Sequence, residues 1–194
     1  FDPKKLPGDP FKEIGTLHCD DSTSPFSMAV DRKGIAWVGY QSGEVYRASI
    51  HDARCFGQGA PPTGASSRTF GMGFVTDGPG ATTEKLYVSG EGHELATLDT
   101  SQSPAVWKRE GSVQGVGRNP ELTGTADGKL YGFFPLYESG SYVQELDRKG
   151  AAVGKRWSLP VGNISAWAIA FWGDVFYVFA TSSDGPAVHA IHRT

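Results

Sequence analysis

The feature that most constrains the fold is a pattern of short strand-like phrases that occurs four times along the 194 residues. Each phrase is an apolar segment ending in an aspartate, and Asp31, Asp77, Asp127 and Asp174 are separated by 46, 50 and 47 residues. Each aspartate stands where the chain reverses, and Asx side chains commonly tighten such turns. A period of about 40–50 residues with three or four strands per unit is typical of β-propeller blades.

Helical repeats of the same length are excluded by composition and pattern. The chain holds 26 Gly and 12 Pro, so a long helix would cross several glycines in every unit. Helices would also need apolar residues at i, i+3 and i+4. Aromatic residues, at 12%, suit pleated and half-buried surfaces instead. The sequence therefore predicts an all-β protein with less than about 10% helix.

We predict a single small β-propeller domain over residues 1–194, with four blades of three to four antiparallel strands. The repeat units lie at about 20–67, 68–114, 115–162 and 163–194, with inner strands near Met28, Met72, Thr123 and Ile169. Outer strands are predicted at Val106–Glu110 and Lys155–Leu159, and a weaker candidate, mostly loop, at Phe56–Ser67.

The fourth unit has no outer strand of its own before Thr194. The N-terminal segment 11–19, with a strand at Phe11–Leu17, is predicted to pair outside Ala187–His192 and close the last blade, because natural sheets avoid unpaired edges. A truncated larger ring is the alternative.

Cys19 and Cys55 are the only cysteines, and the sequence leaves open whether they form a disulfide. A bridge would place the protein in an oxidising compartment. In the predicted topology Cys19 follows the closing strand on one face of the ring, and Cys55 follows a third strand that ends on the opposite face. Because a disulfide needs Cα atoms within about 7 Å, this topology argues against the bridge unless the loops fold across the rim.

Charge and hydropathy disfavour two classes of partner. The formal net charge is −3, and the pairs Arg32–Lys33 and Lys155–Arg156 are isolated. Nucleic-acid binding is disfavoured because it needs a basic stripe or patch to neutralise phosphates. Membrane insertion is disfavoured because no apolar run approaches the roughly 20 residues of a membrane span.

Catalytic and metal motifs are weak. His189 and His192 point to opposite faces of a predicted strand, and no Gly-x-Ser-x-Gly elbow nominates a nucleophile. The acidic turns at Asp77–Gly80 and Ser183–Gly185 lack the carboxylate density of a Ca²⁺ loop. We predict no catalytic residue and no cofactor. A Ca²⁺ or other ion on backbone carbonyls in the central channel is an alternative that would leave no side-chain signature.

Aromatic residues supply the candidate ligand contacts. Most of them are predicted to fill the wedges between blades. The rest would form a platform for a sugar or a peptide, and the candidate ligand-binding residues are Trp172, Tyr137 and Trp107.

The phrases Pro25–Gly34, Phe70–Phe74, Glu121–Thr125 and Ala166–Gly173 resemble β-propeller domains of bacterial secreted or envelope proteins, many of them without known activity. The resemblance implies export, to the periplasm, the cell surface or the medium, and a binding or scaffold role. It transfers no catalytic residue. A chain that begins with Phe1 rather than Met fits a removed signal peptide. The signatures of WD40 and kelch repeats are missing.

These observations favour a non-catalytic binding or scaffold module whose partner is a protein or a glycan. One alternative is a lectin, against which polar and aromatic loop residues do not recur at equivalent positions in the four units. The other is an enzyme, a lyase or hydrolase with its site at the channel mouth, against which no acid–base constellation stands out.

Overall fold

The computed structural model describes residues 1–60, 69–100, 102, 105–114, 119–137 and 140–194. Within these residues fifteen strands form four antiparallel sheets, arranged as the blades of a small β-propeller. The helical content of the same residues is limited to two 3₁₀ turns of three residues each, Pro3–Lys5 and Glu91–His93. The predicted all-β, four-bladed architecture is confirmed.

Each blade follows chain order from its inner to its outer strand. Blade I contains β1 (Pro25–Val30), β2 (Ile35–Tyr40), β3 (Val45–Ser49) and β4 (Cys55–Ala60). Blade II contains β5 (Phe70–Thr76), β6 (Glu84–Gly90), β7 (Glu94–Asp99) and β8 (Val106–Ser112). Blade III contains β9 (Glu121–Gly124), β10 (Leu130–Phe134), β11 (Ser141–Leu146) and β12 (Ala152–Leu159). Blade IV contains β13 (Ala166–Trp172), β14 (Val175–Ser182) and β15 (Gly185–His192).

The predicted outer strands of blades II and III are present as β8 and β12. The weak candidate at Phe56–Ser67 begins inside β4, and its residues 61–67 lie outside the described part of the chain.

The four repeated aspartates lie at the first turn of each blade, as predicted. In the turn after β1, Oδ1 of Asp31 accepts the backbone N–H groups of Lys33 and Ile35, each at 2.9 Å. Asp147 forms the same pair of bonds between β11 and β12. Such bonds fix the reversal because they satisfy backbone donors that the ladder leaves unpaired.

Arginines tie neighbouring blades together near these turns. Arg193 follows β15 and donates to Asp127 of blade III at 3.1 Å and to Asp174 of its own blade at 2.6 Å. Arg148 of blade III donates to the carbonyl of Thr76 in blade II at 2.7 Å. Charge-assisted bonds of this kind fix geometry as well as add stability.

Glycine allows the inner strands to approach each other closely. A Cβ added at Gly73 of β5 would lie 2.8 Å from both the carbonyl oxygen of Leu122 and the Cα of Thr123 in β9. No side chain could relieve this overlap, because both atoms belong to the backbone of the facing strand. The contact between blades II and III therefore requires glycine at this position.

Replacing Gly73 by Ala should lower the free energy of unfolding by about 1–3 kcal/mol, the usual cost of overpacking. Gly78→Ala is the matched control, since a Cβ there meets nothing within 4 Å. Urea unfolding curves of the two variants measure the difference. Equal midpoints would contradict the close approach of β5 and β9.

The predicted closing strand is wrong. Residues 11–17 form no β-ladder, and blade IV has three strands with β15 at its edge. The apolar residues Phe11, Ile14 and Leu17 recur at intervals of three, so a strand, with its period of two, cannot place them all on one face.

Aromatic rings of the N-terminal segment cover blade IV instead. The ring centroid of Phe1 lies 5.4 Å from that of Tyr177 and 4.9 Å from that of Phe179, both on β14. Phe11 packs 5.4 Å from Phe1 and 6.2 Å from Phe179. The segment thus joins blade IV through side chains rather than through backbone hydrogen bonds.

The structure contains the Cys19–Cys55 disulfide, with a Cα–Cα distance of 5.3 Å. The topological argument against the bridge is wrong, because Cys19 and Cys55 lie side by side rather than on opposite faces of the ring. The N-terminal segment runs beside the start of β4, where His18 forms a parallel bridge with Arg54, and Leu17 packs on the apolar face of blade I.

Candidate functional site

A cavity of about 1020 Å³ lies between blades IV and I. The inner strands are in close contact at the other three junctions, β1 with β5, β5 with β9 and β9 with β13. The cavity is lined by β1, β13 and β14, by residues of β5 and β9, and by residues 1–4 and Leu17 of the N-terminal segment. Here the ring of blades has space for a ligand.

One wall of the cavity is an apolar face of β1. Phe26, Met28 and Val30 alternate along this strand and are 47%, 58% and 44% exposed. The intervening Ala29 is buried and packs in the core between blades I and II. The strand therefore buries one face and presents the other, apolar one to the cavity.

Another part of the lining carries aromatic rings and the ammonium group of a lysine side chain. Trp172 ends β13, is half-exposed and lines the cavity together with Tyr177 and Phe179. The ammonium of Lys4 lies 5.7 Å from the centroid of the Trp172 ring, within the range of a cation–π interaction.

Glu121 is the buried acid of the cavity. It begins β9, is 8% exposed and accepts two hydrogen bonds on Oε1, from the hydroxyl of Ser27 at 2.6 Å and from the backbone N–H of Met72 at 3.1 Å. The carboxyl group therefore connects blades I, II and III. Burial raises its pKa to about 7, and the two hydrogen bonds oppose that rise only in part.

Sequence reasoning missed Glu121, although a signal was present. Six positions before the repeated aspartate, the other three units carry the small residues Pro25, Gly71 and Ala168. A glutamate at this inner-strand position stands out only when the repeats are aligned on their turns.

The structure places the three predicted ligand-binding residues on three different blades. Trp172 lines the cavity, whereas Trp107 of β8 is partly buried and packs against the core between blades I and II, 5.9 Å from Phe70. Tyr137 follows β10 and is exposed at the end of blade III. A shared platform of the three is not formed, and their role in ligand binding stays a prediction.

The acidic turns and histidines form no metal centre in the described residues, where no three His, Cys, Asp or Glu side chains are grouped to hold an ion. Asp77 instead pairs with Lys85 at 3.6 Å and with Arg148 at 3.4 Å. An ion bound to backbone carbonyls in the channel stays a prediction. No helix among the described residues is long and apolar enough to cross a membrane.

Comparison with known proteins gives no family. No family model matches the chain, and no curated protein sequence matches it significantly. The structure of Myxococcus xanthus glutaminyl cyclase aligns with a TM-score of 0.52 and 16% identity over 90% of this chain and 75% of its own. BamB from Moraxella catarrhalis aligns with a TM-score of 0.44 and 14% sequence identity, over 88% of this chain and 50% of its own. The fold shared with the cyclase is a β-propeller. At 16% identity this likeness shows the fold alone.

Proposed function

We propose that the chain is a non-catalytic binding or scaffold module, secreted, periplasmic or at the cell surface, and that an apolar segment of a protein partner enters the cavity. The single observation that carries the proposal is the β1 wall, where three large apolar side chains in alternation are half-exposed to one cavity. Contiguous exposed apolar surface in a folded protein commonly marks a binding site.

The energetics favour an apolar occupant. Fully burying a Phe, Met or Val side chain contributes about 1.5–3 kcal/mol. Phe26, Met28 and Val30 are about half-exposed, so covering them would contribute on the order of 1 kcal/mol each. That sum supports reversible binding rather than a permanent complex.

The disulfide supports export. Disulfides persist in oxidising environments and are rare in the cytosol, where thiols are kept reduced. The Cys19–Cys55 bridge is therefore consistent with the proposed location outside the cytoplasm.

Two other functions have a specific observation behind them. The half-exposed ring of Trp172 would suit stacking of a sugar, as in a lectin. Glu121, with its pKa raised to about 7, has the property of a general acid or base at an enzyme's channel mouth. It is, however, the one buried carboxyl or amino side chain among the described cavity residues, since Asp2 and Lys4 are exposed.

A random-peptide display selection on the purified protein tests the proposal. Peptides rich in apolar residues should be enriched, and Met28→Asp should weaken the selected peptides at least tenfold by placing a charge on the β1 wall. Val106→Asp is the matched control because Val106 is 47% exposed on β8, outside the lining of the cavity.

Three results would contradict the proposal. Equal peptide binding by Met28→Asp and Val106→Asp would show that the cavity is not the binding site. Glycans that bind on an array and lose affinity in Trp172→Ala would favour the lectin. Turnover of ester, glycoside or peptide substrates that disappears in Glu121→Gln would favour the enzyme.

A further inference from the structure

We infer that the cavity recognises a primary ammonium group, which Glu121 binds through its carboxylate while the aromatic and apolar walls hold the attached carbon chain. The inference rests on the proposed function, because it takes the cavity as the binding site, and it adds the chemical group that the ligand must carry.

The geometry of Glu121 leaves one carboxylate oxygen for a ligand. Both hydrogen bonds that the described residues give to this side chain end on Oε1, from Ser27 and Met72. Both donors are neutral, a hydroxyl and a backbone N–H. A carboxylate has two oxygens with about four acceptor positions, and Glu121 lines the cavity. Oε2 is therefore the acceptor that an entering donor would meet.

Charge decides which donor fits best. An ionised carboxylate in an apolar, mostly buried site is unfavourable unless a cation pairs with it. The one basic side chain among the described lining residues is Lys4. Its ammonium group packs against the ring of Trp172, the last residue of β13. Glu121 thus lacks a cationic partner within the chain's described residues, and an ammonium ligand would supply one.

The placement of Lys4 is an independent observation that points to the same ligand chemistry. An alkylammonium group already lies over an aromatic ring of this cavity, 5.7 Å from its centroid. The face of an indole attracts cations through its quadrupole. The aromatic wall of the cavity is therefore compatible with a ligand that carries an ammonium group.

The ionisation of Glu121 makes the affinity for an ammonium ligand depend on pH. The protonated carboxyl cannot pair with an ammonium, so affinity should rise as Glu121 ionises, with a pKa of about 7. The other ionisable side chains among the described residues that line the cavity are Asp2, Lys4 and Tyr177. A ligand that offers a carbonyl oxygen would need the protonated acid and would bind more weakly as the pH rises.

Calorimetric titration with three small probes tests the inference. Nα-acetyl-lysine methylamide carries a side-chain ammonium, phenylalaninamide carries the free amine of a chain terminus, and N-acetylphenylalanine methylamide is neutral. At least one of the two amines should bind tenfold or more tightly than the neutral probe. Glu121→Gln should abolish that difference, while Glu94→Gln, in the exposed ion pair with Arg109 on blade II, should preserve it.

The pH profile of the wild-type protein is the second measurement, and it does not depend on any variant folding. Between pH 6 and pH 8 the affinity for the lysine probe, which stays cationic over this range, should rise about tenfold. The tighter of the two amines identifies the source of the ammonium, a lysine side chain or a chain terminus.

Equal binding of the neutral probe, full amine affinity in Glu121→Gln, or an affinity that falls with pH would overturn the inference. If display selects apolar peptides that Met28→Asp weakens while neither amine depends on Glu121, the ammonium site fails and the proposed binding function stands. If an amine binds through Glu121 but no peptide is selected, the protein-binding function fails and the ammonium site stands.

Discussion

Glu121→Gln is expected to raise the free energy of unfolding at pH 8 by about 3 kcal/mol and to leave it almost unchanged near pH 4. Folding raises the pKa of this carboxyl from its ordinary value of 4.5 to about 7. Below pH 4.5 the group is protonated in both the folded and the unfolded state. Between about pH 4.5 and pH 7 the unfolded chain ionises the group while the folded protein still holds its proton, so the wild type loses stability over that range. Glutamine stays neutral and keeps a carbonyl oxygen for the two donors.

Thermal and urea unfolding between pH 4 and pH 9 measure this effect. The wild-type stability should decline relative to that of Glu121→Gln between about pH 4.5 and pH 7, and the difference should be constant above that range. Glu94→Gln should run parallel to the wild type. Two parallel curves for wild type and Glu121→Gln would show that Glu121 is not buried as an acid.

Deletion of residues 1–18 is expected to lower the free energy of unfolding by on the order of 3 kcal/mol. The truncation uncovers the rings of Tyr177 and Phe179, which Phe1 and Phe11 cover, and it removes Leu17 from the face of blade I. The loss comes from apolar burial, since residues 11–17 contribute no strand ladder. Differential scanning calorimetry compares the truncated and full chains.

A pair of point variants separates ring packing from loss of the segment as a whole. Phe11→Ser should reproduce part of the destabilisation, because its ring meets those of Phe1 and Phe179. Phe56→Ser, at a similarly exposed ring on β4, should have a smaller effect. An unchanged melting temperature in the truncated chain would mean that the segment does not stabilise the ring.

The propeller could be predicted because its determinants are local and repeated. Each blade needs an apolar inner strand, a turn and a paired strand, and the aspartates mark that turn four times in the sequence. Asp31 shows the reason, since one carboxylate oxygen satisfies two backbone donors of its turn. Features of this kind depend on residues within five positions of each other.

The features that sequence reasoning missed are long-range. The path of the N-terminal segment depends on the face of β14, more than 160 residues away, so neither the missing closing strand nor the Cys19–Cys55 bridge could be predicted from strand counting. Glu121 depends on Ser27, 94 residues away, for its main hydrogen bond. Without these long-range contacts, Glu121 cannot be distinguished in the sequence from any other acidic residue at the start of a strand.

The disulfide holds the N-terminal segment close to the cavity that its first residues line. Residues 1–4 occupy part of the cavity lining, and Cys19 is bonded to blade I at Cys55. A large ligand could displace the first residues from the cavity, but the covalent link would keep them nearby at an effective concentration on the order of millimolar, typical of short flexible linkers. Such a ligand must displace lining residues that the rest of the chain keeps beside the cavity. After reduction of the bridge the segment would be held only by the chain that leads into β1 at Pro25, and a ligand would displace it more easily.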